Sequence, residues 1–237
     1  MARKVSRYKP LYKNFVRLRK NIQNRKKLLT NFEKKKWQYL INFLKISSQR
    51  RKKNFESYDQ FSYFISKFGN SFKKNFLNNL LTKQRLSLFY GKLQNKKVKK
   101  LIISAKSNKN KKLMTSELFV NSLENRIDTI LYRSHFVCSI REARLLIQHK
   151  HVFINSKVVT SSSFILNRGD ILTLSTKGLK IAKLNVYRSN LWPLPPEFLQ
   201  INYKIFQISF LDNIDKSSLP ILYPFWLNIN SVLNYYK

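Results

Sequence analysis

Acidic residues are scarce in this chain: 11 Asp and Glu stand against 47 Lys and Arg in 237 residues, a formal net charge of +36. A compact body with that imbalance repels itself unless a polyanion neutralises it, which excludes a free-standing enzyme of ordinary mixed-charge surface. Glycine and proline are also few, at 4 and 6, which excludes collagen, elastin and flexible linker proteins. The single cysteine, Cys138, excludes a disulfide framework within the chain and a four-thiolate zinc site. No apolar run reaches the roughly 18 residues of a transmembrane helix. The opening Met1-Ala2-Arg3-Lys4 lacks the apolar core of a secretory signal. What is present excludes pure disorder, because 43% of the residues are hydrophobic and 14% aromatic. A folded body bound to something strongly negative remains, with nucleic acid the first candidate and an anionic membrane surface the second. Lys, Asn, Ile, Phe, Leu and Tyr dominate the rest, all residues with A/T-rich codons, as in many organelle genomes.

Residues 1–54 read as a basic N-terminal arm and helix. Arg3, Lys4, Arg7, Arg17, Arg19, Lys20, Arg50 and Arg51 fall in or beside its cationic clusters, and one cluster alone would be a solvated face. Four clusters in this stretch point to a phosphate-facing surface, so an RNA-binding arm is preferred over a transit peptide. Trp37, Leu40, Ile41 and Leu44 are spaced for one helical face. Residues 55–116 read as the first part of a helical domain with a cationic linker. Phe61, Phe64, Ile65 and Phe68 keep helical spacing up to Gly69, and Leu77, Leu80, Leu81, Leu86, Phe89 and Tyr90 read as core. Residues 104–116 are polar without periodicity and read as a linker opening a second domain.

Residues 117–178 are the most informative. Leu123, Ile127, Ile130 and Leu131 predict one helix, with Arg126 and Arg133 together on another side of it. Ser139 followed by Glu142 is a capping box that opens a helix to about His149. Ala143, Leu146 and Ile147 would face inward, and Arg141, Arg144 and Gln148 would form a polar stripe. The period then changes. Val152–Ile154 and Lys157–Val159 flank Asn155-Ser156 as a hairpin, while Phe164–Leu166 and Ile171–Leu174 flank the turn Arg168-Gly169-Asp170. Two short helices braced by a small sheet suit an irregular RNA surface, since A-form RNA has a major groove too deep for a helix. Arginine suits that task by binding phosphate through two hydrogen bonds and stacking on bases.

Single sites admit rival readings. His149 and His151 have no third ligand nearby in sequence, so contact with phosphate or bases is preferred over a metal. Cys138 reads as a packed thiol. Glu124 and Asp128 read as neutralising nearby arginines rather than as an acid/base pair. Residues 179–237 contain Trp192-Pro193-Leu194-Pro195-Pro196, an imperfectly alternating strand from Phe198 to Leu211, and a short apolar end.

Leu123-Glu124-Asn125-Arg126-Ile127-Asp128 through Arg133 resembles the opening helix of the RNA-binding domain of the small-subunit ribosomal protein S4 family. Ser139–Arg144 resembles its second helix, His151–Ser156 its hairpin, and Ser163 with Gly169-Asp170 its later turn. Lys83-Gln84-Arg85 with Tyr90-Gly91-Lys92-Leu93 resembles the preceding helical domain, and Pro196–Asn202 its return segment. The flanks distinguish the ribosomal family from pseudouridine synthases and tyrosyl-tRNA synthetases that share the domain.

The resemblance implies an α+β fold: a helical domain interrupted by an inserted small α+β RNA-binding domain (two helices plus a short, mostly antiparallel sheet), behind a basic N-terminal arm. Residues 179–237 would return and pack on the helical domain. It further implies a non-enzymatic constituent of an organellar small ribosomal subunit that binds the 5′ domain of its rRNA and supports assembly and translation. Neighbouring small-subunit ribosomal proteins, and mRNA where it enters, would be its other partners. Membrane association, a homo-oligomer, a cofactor and a resident metal are not implied. The expected location is the mitochondrial matrix, with the plastid stroma as the alternative. The expected RNA-binding residues of the body are Lys83, Arg85, Arg126, Arg133, Ser139, Arg141, Arg144, Gln148, His149, Lys150, His151, Asn155, Lys157 and Arg168.

The chain departs from the family pattern in places. Ile140 replaces a usual Arg, with Arg141 beside it; His135, Lys150 and Ser156 stand where Gly is common; Gln200 and Asn202 replace frequent carboxylates. A rival from another class, an RNA-modifying enzyme anchored by the same domain, would need a catalytic domain with an Asp-centred motif, and residues 1–116 offer only Glu33, Glu56 and Asp59.

Overall fold

The computed structural model describes residues 35–49, 72–107, 113–189, 194–213 and 227–236, together with Asn14, Leu18, Ile22, Tyr223 and Phe225. The cationic residues expected of the arm (Arg3, Lys4, Arg7, Arg17, Arg19, Lys20, Arg50 and Arg51) and the Phe61–Phe68 helix lie outside the described residues. The fold is α+β, and the chain forms two compact units. One is built from residues 1–92 and 223–237, the other from residues 93–222, so the second is inserted into the first.

In the first unit, helix α1 (Lys35–Gln49) buries Trp37 and Leu40, as their spacing predicts. Helix α2 (Phe72–Phe89) buries Leu86 and Phe89 and ends at Tyr90-Gly91, where Gly91 takes φ +66°. Leu77, expected in the core, is exposed on α2. The apolar end of the chain is a helix, α8 (Ile229–Tyr235), that packs on α2. Asn228 starts it by accepting the Ser231 N–H. Aromatic rings close this core edge to face: Phe89 lies 5.1 Å from Tyr90, 5.5 Å from Tyr223 and 5.8 Å from Phe225 between centroids. The buried Tyr90 and Tyr223 hydroxyls bond to each other at 2.8 Å, which removes the cost of burying either alone.

In the second unit, α3 (Asn95–Ser107) buries Val98, Ile102 and Ala105 and packs on α4 (Thr115–Glu124). Residues 104–107, expected in a linker, are thus the last turn of a helix whose apolar stripe still points inward at Ala105. Glu117 starts α4 by accepting the Met114 N–H at 3.0 Å.

The single helix expected through Arg133 is two: α4 ends at Glu124, and α5 (Ile127–Arg133) begins after Arg126 at φ −75°, ψ 139°. A broken helix leaves backbone groups unsatisfied. Here the segment expected as strand Phe164–Leu166 satisfies them: Ile127 N–H donates to the Phe164 carbonyl, and Leu166 N–H to the Asn125 carbonyl. That segment forms only an isolated bridge, Ile165 to Arg126. Leu123, Ile127, Ile130 and Leu131 are all fully buried, so the apolar period runs on through a break it does not report.

Helix α6 (Ile140–Gln148) follows and buries Ala143, Leu146 and Ile147 as expected. Strands β1 (Val152–Ile154), β2 (Lys157–Val158), β3 (Ile171–Leu174), β4 (Leu199–Asn202) and β5 (Gln207–Phe210) form one antiparallel sheet in the order β2-β1-β3-β5-β4. Val152, Ile154, Leu172, Leu174, Ile208 and Phe210 bury one face of it. The sheet does not stop at residue 178, and the expected strand Phe198–Leu211 is a hairpin. Asn202 makes that turn by accepting the Lys204 N–H at 2.9 Å. Helix α7 (Thr176–Ser189), between β3 and β4, was not expected.

The positions where Gly is common keep glycine geometry without glycine: φ is +64° at His135, +59° at Lys150 and +66° at Ser156. After α6 the Lys150 N–H donates to the Ile147 carbonyl and the His151 N–H to the Leu146 carbonyl, a Schellman closure with a lysine in the left-handed position. Asn155 and Ser156 both take positive φ, as a two-residue hairpin matched to strand twist requires. A side chain there costs about 1–2 kcal/mol, against about 0.4–1 kcal/mol for the extra freedom of Gly in the unfolded chain. Ser156→Gly is therefore expected to raise the thermal unfolding midpoint by about 2 °C, read by circular dichroism.

Candidate nucleic-acid interface

Two carboxylates organise the inserted unit. Asp128 is 0% exposed and accepts from Arg126 Nε at 2.9 Å, Arg126 Nη2 at 2.8 Å and Arg144 Nε at 2.8 Å. Glu124, also 0% exposed, accepts from Arg133 Nε at 2.9 Å and Nη2 at 2.6 Å. Both Arg126 and Arg133 are buried. Each makes a two-pronged ion pair, the strongest geometry for these groups. The expectation of a shared cationic side is corrected: Arg126 stands just before α5 and Arg133 ends it, on different carboxylates. The reading of Glu124 and Asp128 as partners of nearby arginines matches this geometry. Arg144 ties α6 to the same Asp128, with its side chain 14% exposed.

Helix α6 starts as its capping residues predict, with a shift. The Ser139 hydroxyl accepts the Glu142 N–H at 3.2 Å, while the Glu142 carboxylate accepts the N–H of Cys138, one residue before the cap. Cys138 is exposed, and its thiol donates to Asn185 Oδ1 at 2.9 Å. Arg141 is half-buried. Gln148, His149 and Lys150 are exposed where α6 ends. His151 is half-buried, with Nδ1 3.0 Å from the Ser175 hydroxyl and its ring 6.3 Å from that of His149.

The hairpin tip is exposed at Asn155, Ser156 and Lys157. Asn155 also braces the later turn: its amide donates to Asp170 at 2.9 Å and its oxygen accepts the Ile171 N–H at 3.0 Å. The other Asp170 oxygen accepts the Asn167 N–H at 2.8 Å. Arg168 is exposed, paired with Asp212 at 2.6 Å and donating to the Leu211 carbonyl. Between Lys150 and the hairpin tip at Asn155 lie His151 and the three residues of β1, the strand itself spanning about 10 Å.

Lys83 and Arg85 belong to the other unit and are buried there. The Lys83 ammonium lies 4.1 Å over the Tyr235 ring and 5.4 Å from that of Tyr236, a cation–π clamp that holds α8 on α2. Burial also pushes the Tyr236 phenol up to about 12. The structure thus gathers Gln148, His149 and Lys150 at one place and Asn155 with Lys157 at another, while Arg126, Arg133 and Lys83 serve the interior. Sequence reasoning missed the exposed cations of α7; the three-residue spacing of Lys177, Lys180 and Lys183 was the available signal.

The S4 domain family matches residues 125–172, from the helix break to β3. The chain is similar to the small ribosomal subunit protein uS4m of Reclinomonas americana, 32% identical over 192 residues, which cover 75% of this chain and 74% of that one. The chain belongs to the uS4 family of small ribosomal subunit proteins. It is also similar to the uS4B protein of Clostridium acetobutylicum, 32% identical over 158 residues, 67% of this chain and 78% of the relative. The uS4 protein of Wolbachia pipientis is 30% identical over 149 residues, 63% of this chain and 71% of the relative. Among the described residues no cluster of three or more His, Cys, Asp or Glu is arranged to hold a metal, and no helix is long and apolar enough to cross a membrane.

The uS4-type domain should depend heavily on Asp128. Asp128→Ala leaves the buried Arg126 and the half-buried Arg144 without their carboxylate and is expected to destabilise folding by about 3–5 kcal/mol in urea titrations. Arg168→Ala, which breaks an exposed pair, should cost no more than about 1 kcal/mol.

Proposed function

We propose that this chain is a structural rRNA-binding constituent of the mitochondrial small ribosomal subunit. It binds and organises the 5′ domain of the small-subunit rRNA during assembly, beside neighbouring ribosomal proteins and near the place where mRNA enters. The observation that carries the reading is the separation of charge within a uS4-family fold. Glu124 and Asp128 of the inserted unit are paired inside it, and Glu117 and Glu142 are engaged at helix starts, so few carboxylates remain among its exposed cations. The likeness to a mitochondrial uS4m favours the mitochondrion over the plastid stroma.

The mechanism is scaffolding. Lys150 and Lys157 meet phosphate, and His149, Gln148 and Asn155 offer hydrogen bonds to backbone or exposed bases. Arg144 and Ser139 contribute by fixing α6, the helix that positions this surface. No bond is made or broken.

The protein is expected to co-sediment with mitochondrial small subunits through a high-salt gradient. Lys150→Ala with Lys157→Ala should release it at lower salt, and the log–log salt slope for rRNA binding should fall by about 1.5–2. Release of the unaltered protein as a free chain, or migration with membranes, would contradict the reading.

A further inference from the structure

Helix α7 lies beyond the matched domain and holds none of the residues expected to bind RNA. Its inner face is tightly seated. Ser175 starts it by accepting the Gly178 N–H at 3.3 Å. Gly178 faces the turn after α6, where an added Cβ would sit 3.3 Å from the His151 carbonyl oxygen. Ala182 is fully buried, and the Asn185 amide donates to the Phe136 carbonyl at 3.1 Å.

The outer face is of a different kind. Lys177, Lys180, Lys183, Leu184, Tyr187 and Arg188 are all exposed. At about 100° per residue they fall within an arc of about 140°. Tyr187 stands between Lys183 and Lys180 on that arc and is 86% exposed. The helix contains four cations and no carboxylate. An aromatic ring with cations on both sides is a platform for stacking one unpaired base while its phosphates meet the ammonium groups. A protein partner is a poorer fit, because covering this face would desolvate Lys180 and Lys183, and lysine is depleted from interface cores.

We infer that the outer face of α7 is a second RNA-contact surface, with Tyr187 stacking on an unpaired base and Lys180 and Lys183 holding the adjoining phosphates. It rests on the proposed rRNA binding and extends it to a face outside the S4-type domain match. The ligand is a loop, bulge or single-stranded segment, because bases within a duplex present no free ring face.

The test uses the full chain and a transcript of the small-subunit rRNA 5′ domain. Tyr187→Ala should weaken binding about tenfold with little change in salt slope, and Tyr187→Phe should retain the affinity. Lys180→Ala with Lys183→Ala should reduce the slope by about 1–2. Ultraviolet crosslinking of the unaltered complex should leave a nucleotide adduct on the peptide bearing Tyr187. Failure of the unaltered chain to bind the transcript would overturn the underlying reading. Normal binding by Tyr187→Ala with no adduct on that peptide, or a crosslink from α7 to a ribosomal protein in place of RNA, would overturn this inference alone. The substituted side chains are exposed, so the variants should fold.

Discussion

The inserted unit is organised around Asp128. It bridges Arg126 at the start of α5 and Arg144 on α6, and so fixes two helices against each other from inside. Glu124 repeats the device, linking the end of α4 to the end of α5 through Arg133. A fully buried carboxylate is tolerated only when charge-matched and hydrogen-bonded, and both of these are. The arginines need the carboxylates equally, because a guanidinium does not lose its proton in a protein. The break between α4 and α5 is part of the same arrangement, since it sets Arg126 and Arg133 at opposite ends of α5.

Four further carboxylates also have structural partners. Glu117 and Glu142 close helix starts, Asp170 holds the turn that Asn155 braces, and Asp212 pairs with Arg168. With 11 acidic residues against 47 basic ones, using carboxylates for architecture leaves few to offset the exterior. The fold therefore strengthens its interior while raising the field outside. RNA is the natural complement, as it supplies the missing negative charge over a large area.

Much of this was legible in the sequence. Helix α6 was announced by Ser139, Glu142 and the Ala143, Leu146 and Ile147 stripe, and the hairpin by Asn155-Ser156 between Val152–Ile154 and Lys157–Val159. The neutralising role of Glu124 and Asp128 was legible too. The burial of Arg126 and Arg133 was not, because spacing along one supposed helix hides a break that is satisfied by residues about 40 positions away. Helix α7 was missed because the residues it buries most deeply, Gly178, Ala182 and Asn185, are small or polar and give only a weak apolar stripe. The role of Lys83 was hidden for a similar reason: its rings come from the far end of the chain, at Tyr235 and Tyr236.

The central claim is that internal ion pairs stabilise the fold while the exterior charge opposes it until RNA binds. Thermal unfolding of the purified chain between about 0.05 and 0.2 M salt, alone and with the rRNA 5′-domain transcript, tests this directly. The account predicts opposite signs. Salt should raise the midpoint of the free chain by screening its self-repulsion, and lower that of the complex by weakening the phosphate contacts. A free chain that salt destabilises, or a midpoint indifferent to the transcript at low salt, would contradict it.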